Sequence, residues 1–426
     1  LGLPGGHDGL LLLDPSLPLG TPLARALGLD DVVLTLETTA NRPDHLSIRG
    51  LAREVAALGG LRFKEIAVQL PAETGAPAFS VAALEAACPY YTARRLRGVA
   101  VGPSPDWFRQ RLEKSGIRPI SNVVDATNYV LLEYGQPMHA FDAAKLSGGR
   151  LEARLAAPGE TLRTLDGQDR ALAPDDIVIA DAAGPQALGG VMGGEHSQVT
   201  AQTTAVVLEA AVFPPQRVRR TSRRLGLGSE SSQRFERGVD GHGLNQAMDR
   251  CAALILELAG GSLEGPRLVS GGPGPLPQPV ALQPDRVNAL LGTSFSGAEQ
   301  AELLRRRHYQ VEPSGQAYLA TPPSWRRDVR LGVDLAEDLI QMAGLEGLAS
   351  TDLPQVRTPD AEDPAWRNTW LLRGRLSGLG LAEASTLSFL DPALAKPWGM
   401  DRAWRLDNPF SEEQSLLRPS LLPNLV

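Results

Sequence analysis

The stretch "SGGPGPLPQP", residues 270–279, contains four prolines and three glycines, a composition that forbids a continuous helix or strand. It therefore divides the chain into parts that must each fold around their own buried residues. At 426 residues the chain is too long for one compact core, which predicts roughly two to four domains. A hydrophobic content of 42% is typical of a globular protein.

The first strong helix signal lies in "NRPDHLSIRGLAREVAALGG". Ile48, Leu51, Val55 and Leu58 recur at spacings of one helical turn, and the following glycine pair, Gly59-Gly60, is typical of a helix end. The sequence therefore predicts an amphipathic helix that ends at this pair.

A second helix is predicted in "PSPDWFRQRLEKSGIRP". Ser104 is a suitable cap, Pro105 suits the first turn, and Gly116 suits the left-handed exit. Between about 151 and 213 short β-branched runs predict strands instead, with Asp166-Gly167 in the position of a hairpin turn. The pattern as a whole predicts a multidomain α+β protein.

Composition limits the function classes. Two cysteines in apolar contexts are too few for a disulfide scaffold and favour a reducing, cytoplasmic compartment. No apolar run approaches the roughly 18 residues that cross a bilayer, so no membrane association is expected. A net charge of −7 argues against a surface that is basic everywhere. The chain starts without Met and without a basic flank, and we expect it to be an internal fragment of a longer protein.

Several stretches occur together that resemble the β subunit of bacterial phenylalanyl-tRNA synthetase. In chain order they are "ANRPDHLSIRGLAREVAAL", "RPISNVVDATNYVLLEYGQPMHAFD", "TLDGQDRAL", "ALGGVMGGEHS", "SSQRFERGVD", "PPSWRRDVRLGVDLAEDLI" and "DNPFSEEQSLLRPSLLPNL". One such motif would be weak evidence, whereas a full set in register is strong evidence.

The resemblance implies five regions. They are the tail of an OB-type tRNA-binding domain (1–14), a small α+β domain (15–75), a B3/B4 editing module (76–270), a smaller B5 α/β domain (271–350) and the start of an inactive class II synthetase-like domain (360–426). The implied function is that of a subunit of phenylalanine–tRNA ligase, whose own contribution is editing, the hydrolysis of tyrosine wrongly attached to tRNA(Phe). It also implies tRNA(Phe) and the α subunit as partners, with two α and two β subunits in the assembly.

The resemblance assigns an editing pocket to His139, Glu209, Thr127, Asn128 and Gly190. A pocket shaped for a phenyl ring cannot strongly reject an added hydroxyl, so editing needs a buried polar group aimed at the phenol. Glu209 in "AVVLEAAVF" matches that group, and His139 is expected to orient the ester or the attacking water rather than to be an obligatory base.

Each of these residues also has an ordinary interpretation. Glu209 is equally typical of a strand residue that faces water or pairs with an arginine, and His139 of a packed histidine without catalytic work. The Gly190 loop is also typical of a plain turn between strands. The arginines of "QRVRRTSRRLG" suit either phosphate contacts or a solvated helix face.

A carboxylate set in the B5-like region, formed by Asp328, Asp334, Glu337 and Asp338, is implied by the resemblance to hold Mg²⁺ at the contact with the α subunit. Oxygen ligation suits this ion, and Asp334, Glu337 and Asp338 share helix spacings of three and four residues. The alternative is an acidic helix start that only caps and solubilises. ATP is expected to be used by the α subunit only.

Two other functions compete with this interpretation. A freestanding nucleic-acid-binding or trans-editing protein would need only the B3/B4 module, and the motifs beyond residue 320 argue against it. A non-catalytic scaffold or tRNA-binding subunit with an inactive editing pocket is the alternative that the sequence leaves open.

Overall fold

The computed structural model describes residues 13, 15–75, 79–346, 348, 350, 363–400 and 402–426. The chain forms two compact units, Leu1–Ala349 and Ser350–Val426. The predicted tail of the OB-type domain, residues 1–14, lies outside the described residues apart from Leu13. No helix in the described part of the chain is both long and apolar enough to cross a membrane.

Helices and strands alternate irregularly along the chain, which confirms the mixed α and β class. The strands are β1 (Ser80–Ala83), β2 (Tyr90–Arg97), β3 (Met138–Asp142), β4 (Arg150–Leu155), β5 (Thr161–Arg163), β6 (Asp169–Ala171), β7 (Ile177–Ala180), β8 (Pro185–Leu188), β9 (Met192–Gly193), β10 (Ala205–Val212), β11 (Ser262–Gly271), β12 (Val280–Leu282), β13 (Gln310–Ser314), β14 (Ala317–Thr321), β15 (Phe389–Leu390) and β16 (Leu416–Leu417). The helices are α1 (Leu23–Ala26), α2 (Ile48–Gly59), α3 (Asp106–Lys114), α4 (Asn122–Tyr134), α5 (Pro215–Leu225), α6 (Glu230–Arg237), α7 (Leu244–Ala259), α8 (Pro284–Leu291), α9 (Gly297–Arg306), α10 (Gly332–Ala343), α11 (Pro364–Gly378) and α12 (Pro392–Ala395).

The centre of the first unit is an antiparallel sheet in the order β11-β2-β10-β3. Because side chains alternate across a strand, β10 contributes to two cores. Val206 and Leu208 pack with α3, α4 and α7, whereas Val207 and Ala211 pack with the second sheet, β1-β4-β7-β8-β9. The result is three layers: helices, sheet and sheet.

Residues beyond the proline-rich stretch form a smaller α/β region within the same unit. Its sheet has the order β12-β14-β13, and α8, α9 and α10 cover it around one apolar core. The stretch itself begins in β11, which continues to Gly271. The predicted ranges 15–75, 76–270 and 271–350 lie in the first unit except for Ser350, and the boundaries between them stay predictions.

Charged contacts cross from the smaller region back to α2. Arg307 pairs with Glu54 of α2 and, at 2.8 Å, with Asp338 of α10. The neighbouring Arg306 donates from Nη2 to the backbone oxygens of Ala57 and Leu58, so it caps the carboxyl end of α2. These side chains therefore connect the smaller region directly to α2, about 250 positions earlier in the sequence.

Two helix predictions are correct in extent and wrong in detail. α2 ends at Gly59 with Gly60 in the left-handed conformation, yet its apolar stripe is exposed, with Val55 61% accessible. α3 spans Asp106–Lys114 without a side-chain cap. Ser104, the predicted cap, instead donates a 2.6 Å hydrogen bond to Asp125, because a buried carboxylate competes for its hydroxyl.

The second unit is small. Its helix α11 buries none of its residues, and β15 pairs antiparallel with β16 above a core formed by Leu390, Ala395 and Leu416. Trp366 and Trp370 of α11 are both exposed and contact each other edge to face, with ring centroids 5.9 Å apart.

Candidate functional site

A cavity of about 280 Å³ opens where the sheets β11-β2-β10-β3 and β1-β4-β7-β8-β9 meet the start of α6. Strands β3 and β10 form its floor and the glycine-rich loop between β8 and β9 forms one wall. Its polar lining comes from Asn128, His139, Glu209, Ser229, Glu230 and Ser231. Of these, Glu230 is paired with Arg234. Most of the remaining lining is apolar, including Leu131, Leu165, Ile179, Phe213 and Phe235. A largely apolar cavity with few polar groups is the usual form of a small-ligand site.

Glu209 is the most constrained of these polar groups. The alternation of β10 turns its side chain toward the second sheet, between Val207 and Ala211, and only 6% of the residue is accessible. Among the described residues its carboxyl group has no hydrogen-bond or ion-pair partner. Burial therefore raises the pKa of Glu209 to about 8, so the group is mostly protonated at neutral pH. The alternative of an arginine-paired or water-facing glutamate is wrong for this structure.

His139 lies directly opposite Glu209, because β3 and β10 pair with these two residues in register. Side chains at such a position have Cβ atoms about 5 Å apart on one face of the sheet. The imidazole packs edge to face on Phe141 at 4.5 Å, and its Nε2 is buried without a partner in the described part of the chain. Burial lowers the pKa of His139 to about 4, which keeps the ring neutral and its ring nitrogens available at physiological pH.

α4 delivers one of the two remaining polar candidates to the cavity. This helix is capped by Ser121 and stops at Gly135, whose left-handed conformation turns the chain into β3. Asn128 lines the cavity. Thr127 does not, because its hydroxyl donates a 2.6 Å hydrogen bond to the backbone oxygen of Val124 on the same helix.

The glycines of the loop between β8 and β9 have different surroundings. A β carbon at Gly190, where φ is +76°, would stand 3.0 Å from Val218 and 3.1 Å from Phe213 and Phe235. Gly190 therefore lines the cavity and also packs closely against the apolar core, which leaves no space for a side chain. The residue that makes room for the imidazole is Gly193, where a β carbon would stand 2.5 Å from His139 Cε1.

The start of α6 is a part of the site that the sequence analysis missed. Ser229 caps this helix through Ser232 and donates to the backbone oxygen of Val191 at 3.0 Å, which fixes α6 against the glycine-rich loop. Ser231, two residues after Ser229, lines the cavity. A serine-rich cap before "QRFERG" is a visible helix-start signal, but only the tertiary fold brings it to the cavity.

The four carboxylates predicted to hold Mg²⁺ do not converge. Asp338 is buried, and its oxygens accept from Arg307 at 2.8 Å, Arg326 at 2.7 Å and Tyr309 at 2.5 Å. Asp328 pairs with Arg326, Asp334 caps α10 by accepting from the backbone of Arg330 and Leu331, and Glu337 accepts from Gln341. No group of three or more His, Cys, Asp or Glu side chains in the described ranges could hold a metal ion. These residues do not fit a magnesium site within this chain, because protein cations already neutralise the central carboxylate.

The arginine-rich helix α5 divides into two sets. Arg217 and Arg220 pair with Asp175, and Arg224 pairs with Asp176, so these three hold α5 against the loop before β7. Arg219 and Arg223, one turn apart, are exposed, and their guanidinium groups have no ion pair or hydrogen bond with any described residue.

Three family models match consecutive parts of the chain. The B3/4 domain model matches residues 87–260, the tRNA synthetase B5 domain model matches residues 280–345, and the phenylalanyl tRNA synthetase beta chain CLM domain model matches residues 350–426. The first match contains the whole cavity described above. Fold and matches together define the class, a subunit of an aminoacyl-tRNA synthetase.

Curated relatives specify the class further. The phenylalanine–tRNA ligase beta subunits of Moorella thermoacetica and Anaeromyxobacter dehalogenans are 43% and 44% identical over 99% and 100% of this chain. The chain belongs to the family of phenylalanine–tRNA ligase beta subunits. It spans about half the length of these relatives, 54% in both cases.

One solved structure also matches part of the chain. It is an N-terminal fragment of the phenylalanyl-tRNA synthetase beta subunit from Pyrococcus horikoshii, with 17% identity and a TM-score of 0.38, covering 72% of this chain and 85% of that one.

Proposed function

We propose that the cavity between Glu209 and His139 is an editing site that hydrolyses the ester of tyrosine wrongly attached to tRNA(Phe). The observation that carries the proposal is the buried carboxyl of Glu209, which has no partner among the described residues and lines a cavity of about 280 Å³. An unpaired buried polar group is unfavourable and indicates a missing ligand group.

Selectivity follows from this unpaired carboxyl group. A phenolic hydroxyl hydrogen-bonds to Glu209 and removes the penalty of its isolation, whereas a phenyl ring leaves it unpaired. Sites built to bind a hydroxyl reject the analogue without it by about 10⁴-fold or more. The protonated form of Glu209 that burial favours both donates to and accepts from the phenol, so recognition needs no buried negative charge.

The hydrolytic step requires that water attack the ester carbonyl while the ribose oxygen leaves with a proton. We propose that neutral His139 positions this water through the nitrogen that has no protein partner. Asn128, which lines the same cavity, supplies an amide for the amino group or the ribose. Gly193 leaves the imidazole the space that this orientation needs.

Single-turnover hydrolysis of tyrosyl-tRNA(Phe) with the chain in excess tests the proposal. Glu209→Ala is expected to reduce the rate by at least about 100-fold, since the hydroxyl loses its only buried partner. Glu312→Gln, an exposed strand glutamate of β13, is the matched control and should hydrolyse at the wild-type rate. Equal, background-level rates for wild type and Glu209→Ala would reject editing in favour of the non-catalytic scaffold.

The partners belong to the same proposal. We infer that tRNA(Phe) approaches along α5, whose Arg219 and Arg223 are free for phosphates, and that the exposed tryptophans of α11 contact the α subunit. The relatives are subunits of a phenylalanine–tRNA ligase. ATP-dependent attachment of phenylalanine would then take place on the α subunit, and Mg²⁺ would be held there or by both subunits together.

A further inference from the structure

A second, smaller cavity of about 50 Å³ lies between α2, the end of α6 and the loop after β14. It shares no lining residue with the cavity of Glu209. Four arginines line it: Arg49, Arg53, Arg234 and Arg327. So many guanidinium groups around so small a space require an explanation, since like charges repel in a partly buried site.

Two of these arginines have donors that no described residue uses. Arg234 is 4% accessible; its Nη1 and Nη2 donate to Glu230 and to the backbone oxygen of Leu46, but its Nε is buried and unpaired. The Nε of Arg53 is likewise buried without a partner. Unused Nε groups occur elsewhere in this chain, but here two of them line one cavity.

The charge of these arginines is only weakly balanced. Arg53 stacks on Trp325 at 3.7 Å and shares one half-exposed carboxylate, that of Glu65, with Arg49. Burial and the charge of Arg49 lower the pKa of Arg53, and burial lowers that of Arg234. Arg327 has no ion pair among the described residues, only a 3.5 Å hydrogen bond to the backbone oxygen of Val239.

Two acidic residues line the same cavity and balance only part of this charge. The charge of Asp240 acts on Arg53 and opposes the lowering of its pKa. Asp44 accepts two hydrogen bonds from Arg42, at 3.0 and 2.8 Å. Asp240 accepts from the backbone nitrogen of His242 and from Ser324, both at 3.0 Å. The four arginines therefore exceed the carboxylates that face the same space.

We propose that this cavity binds one phosphate group. A tetrahedral oxyanion fits its volume, offers acceptors to the unused guanidinium donors and balances their charge, and arginine suits phosphate because its planar fork donates two parallel hydrogen bonds. The group comes either from inorganic phosphate or from the backbone of a bound RNA. The second source rests on the tRNA binding proposed above, and the first does not.

The site is tested by isothermal titration calorimetry, in which inorganic phosphate is added to the chain. Chloride salt keeps the ionic strength constant. The expected result is saturable binding of one phosphate per chain. Arg327→Gln should raise the Kd about tenfold, because one charge-assisted hydrogen bond is lost, and Arg53→Gln should do the same. Arg330→Gln, the same change three residues along and outside the cavity, should leave the Kd unaltered.

No saturable heat beyond the chloride control, or one Kd shared by wild type, Arg327→Gln and Arg53→Gln, would overturn the proposal. Thermal unfolding in phosphate-free buffer identifies any variant that fails to fold, and Arg327→Gln is the safer one because its contacts are few.

A competition with uncharged tRNA(Phe) distinguishes the sources. If the RNA backbone occupies the cavity, both added phosphate and the Arg327→Gln substitution should weaken tRNA binding. If free phosphate is the ligand, neither change should alter the affinity for tRNA. Either result retains the phosphate site. Glu209→Ala should bind phosphate like wild type, so failure of the editing proposal and failure of this one are separable.

Discussion

His139 lies in the space that the missing side chain of Gly193 leaves: a β carbon there would stand 2.5 Å from His139 Cε1 and 3.0 Å from its Nε2. We therefore expect Gly193→Ala to push the imidazole away from Glu209 and to lower the rate of tyrosyl-tRNA hydrolysis at least about tenfold, with a modest loss of stability. The measurement is the single-turnover rate beside a thermal melt.

Gly102→Ala is the control for that substitution, since no atom lies within 4 Å of its added β carbon. It should keep both the rate and the melting temperature. Wild-type hydrolysis by Gly193→Ala would contradict a role for the position of the imidazole.

Protonation of Glu209 gives the fold a pH dependence. Burial raises its pKa from 4.5 to about 8, so the folded chain retains a proton that the unfolded chain releases. The associated stability is fully present below about pH 4.5 and is lost as the pH rises toward 8, at up to about 1.4 kcal/mol per pH unit. Glu209→Gln lacks this proton. Free energies of unfolding from urea denaturation should therefore show wild type losing stability relative to Glu209→Gln as the pH rises from 5 to 8. Parallel pH profiles of the two proteins would refute the assignment.

His139 contributes a pH dependence of stability that is opposite in sign to that of Glu209. Its pKa falls from 6.5 to about 4 on burial, so the unfolded chain binds a proton that the folded chain excludes. The stability linked to this group is present above pH 6.5 and is lost as the pH falls toward 4. Wild type should thus lose stability relative to His139→Gln over this range. A histidine NMR titration that places the midpoint near 6.5 would show instead that the ring is solvated.

The pairing of Asp338 predicts a structural role that does not depend on metal. Asp338→Asn removes the buried carboxylate that Arg307 and Arg326 share. Each arginine then keeps one partner that is less buried, Glu54 or Asp328, so the change should cost about 3 kcal/mol. Asp334→Ala, which removes the side-chain acceptor that caps α10, should cost about 1 kcal/mol. Magnesium or EDTA should leave the melting temperature of the chain unchanged, and a rise with magnesium that Asp338→Asn abolishes would reverse this assignment.

Free arginines on α5 predict a salt-dependent RNA contact. Charge reversal of both Arg219 and Arg223 should weaken tRNA binding and reduce the slope of log K against log salt by about 1–2, one contact for each side chain. The matched control reverses Arg62, an exposed arginine of another segment. If the double variant keeps the wild-type affinity for tRNA and the wild-type salt dependence, then α5 does not contact the RNA and these two arginines only face solvent.

Local sequence signals predicted much of the framework. Gly60 ends α2 as the glycine pair after the apolar repeat indicates, and Asp166-Gly167 lies in the turn between β5 and β6. These features depend on a few neighbouring residues, so they can be predicted directly from the local sequence. The chain stays helical in α2 although its apolar stripe is exposed, because periodicity predicts a helix and says nothing of what covers it.

The site itself was predictable in part. His139 and Glu209 were singled out by resemblance, but their face-to-face position depends on the register of β3 against β10, which is set by tertiary packing. Thr127 and Asn128 are adjacent in sequence and only the second reaches the cavity, because helical geometry turns neighbouring side chains about 100° apart. Asp338 was misjudged because its arginine partners come from α9 and from the loop after β14.

The arginine contacts between α9 and α2 limit how this protein can be dissected. Cutting at the proline-rich stretch looks natural from composition, yet it would strip Arg306 from the end of α2 and leave Glu54 without Arg307. A shortened protein that stops near residue 275 would thus leave the end of α2 uncapped and exposed. Any loss of activity in it would reflect these lost contacts rather than the chemistry of the cavity.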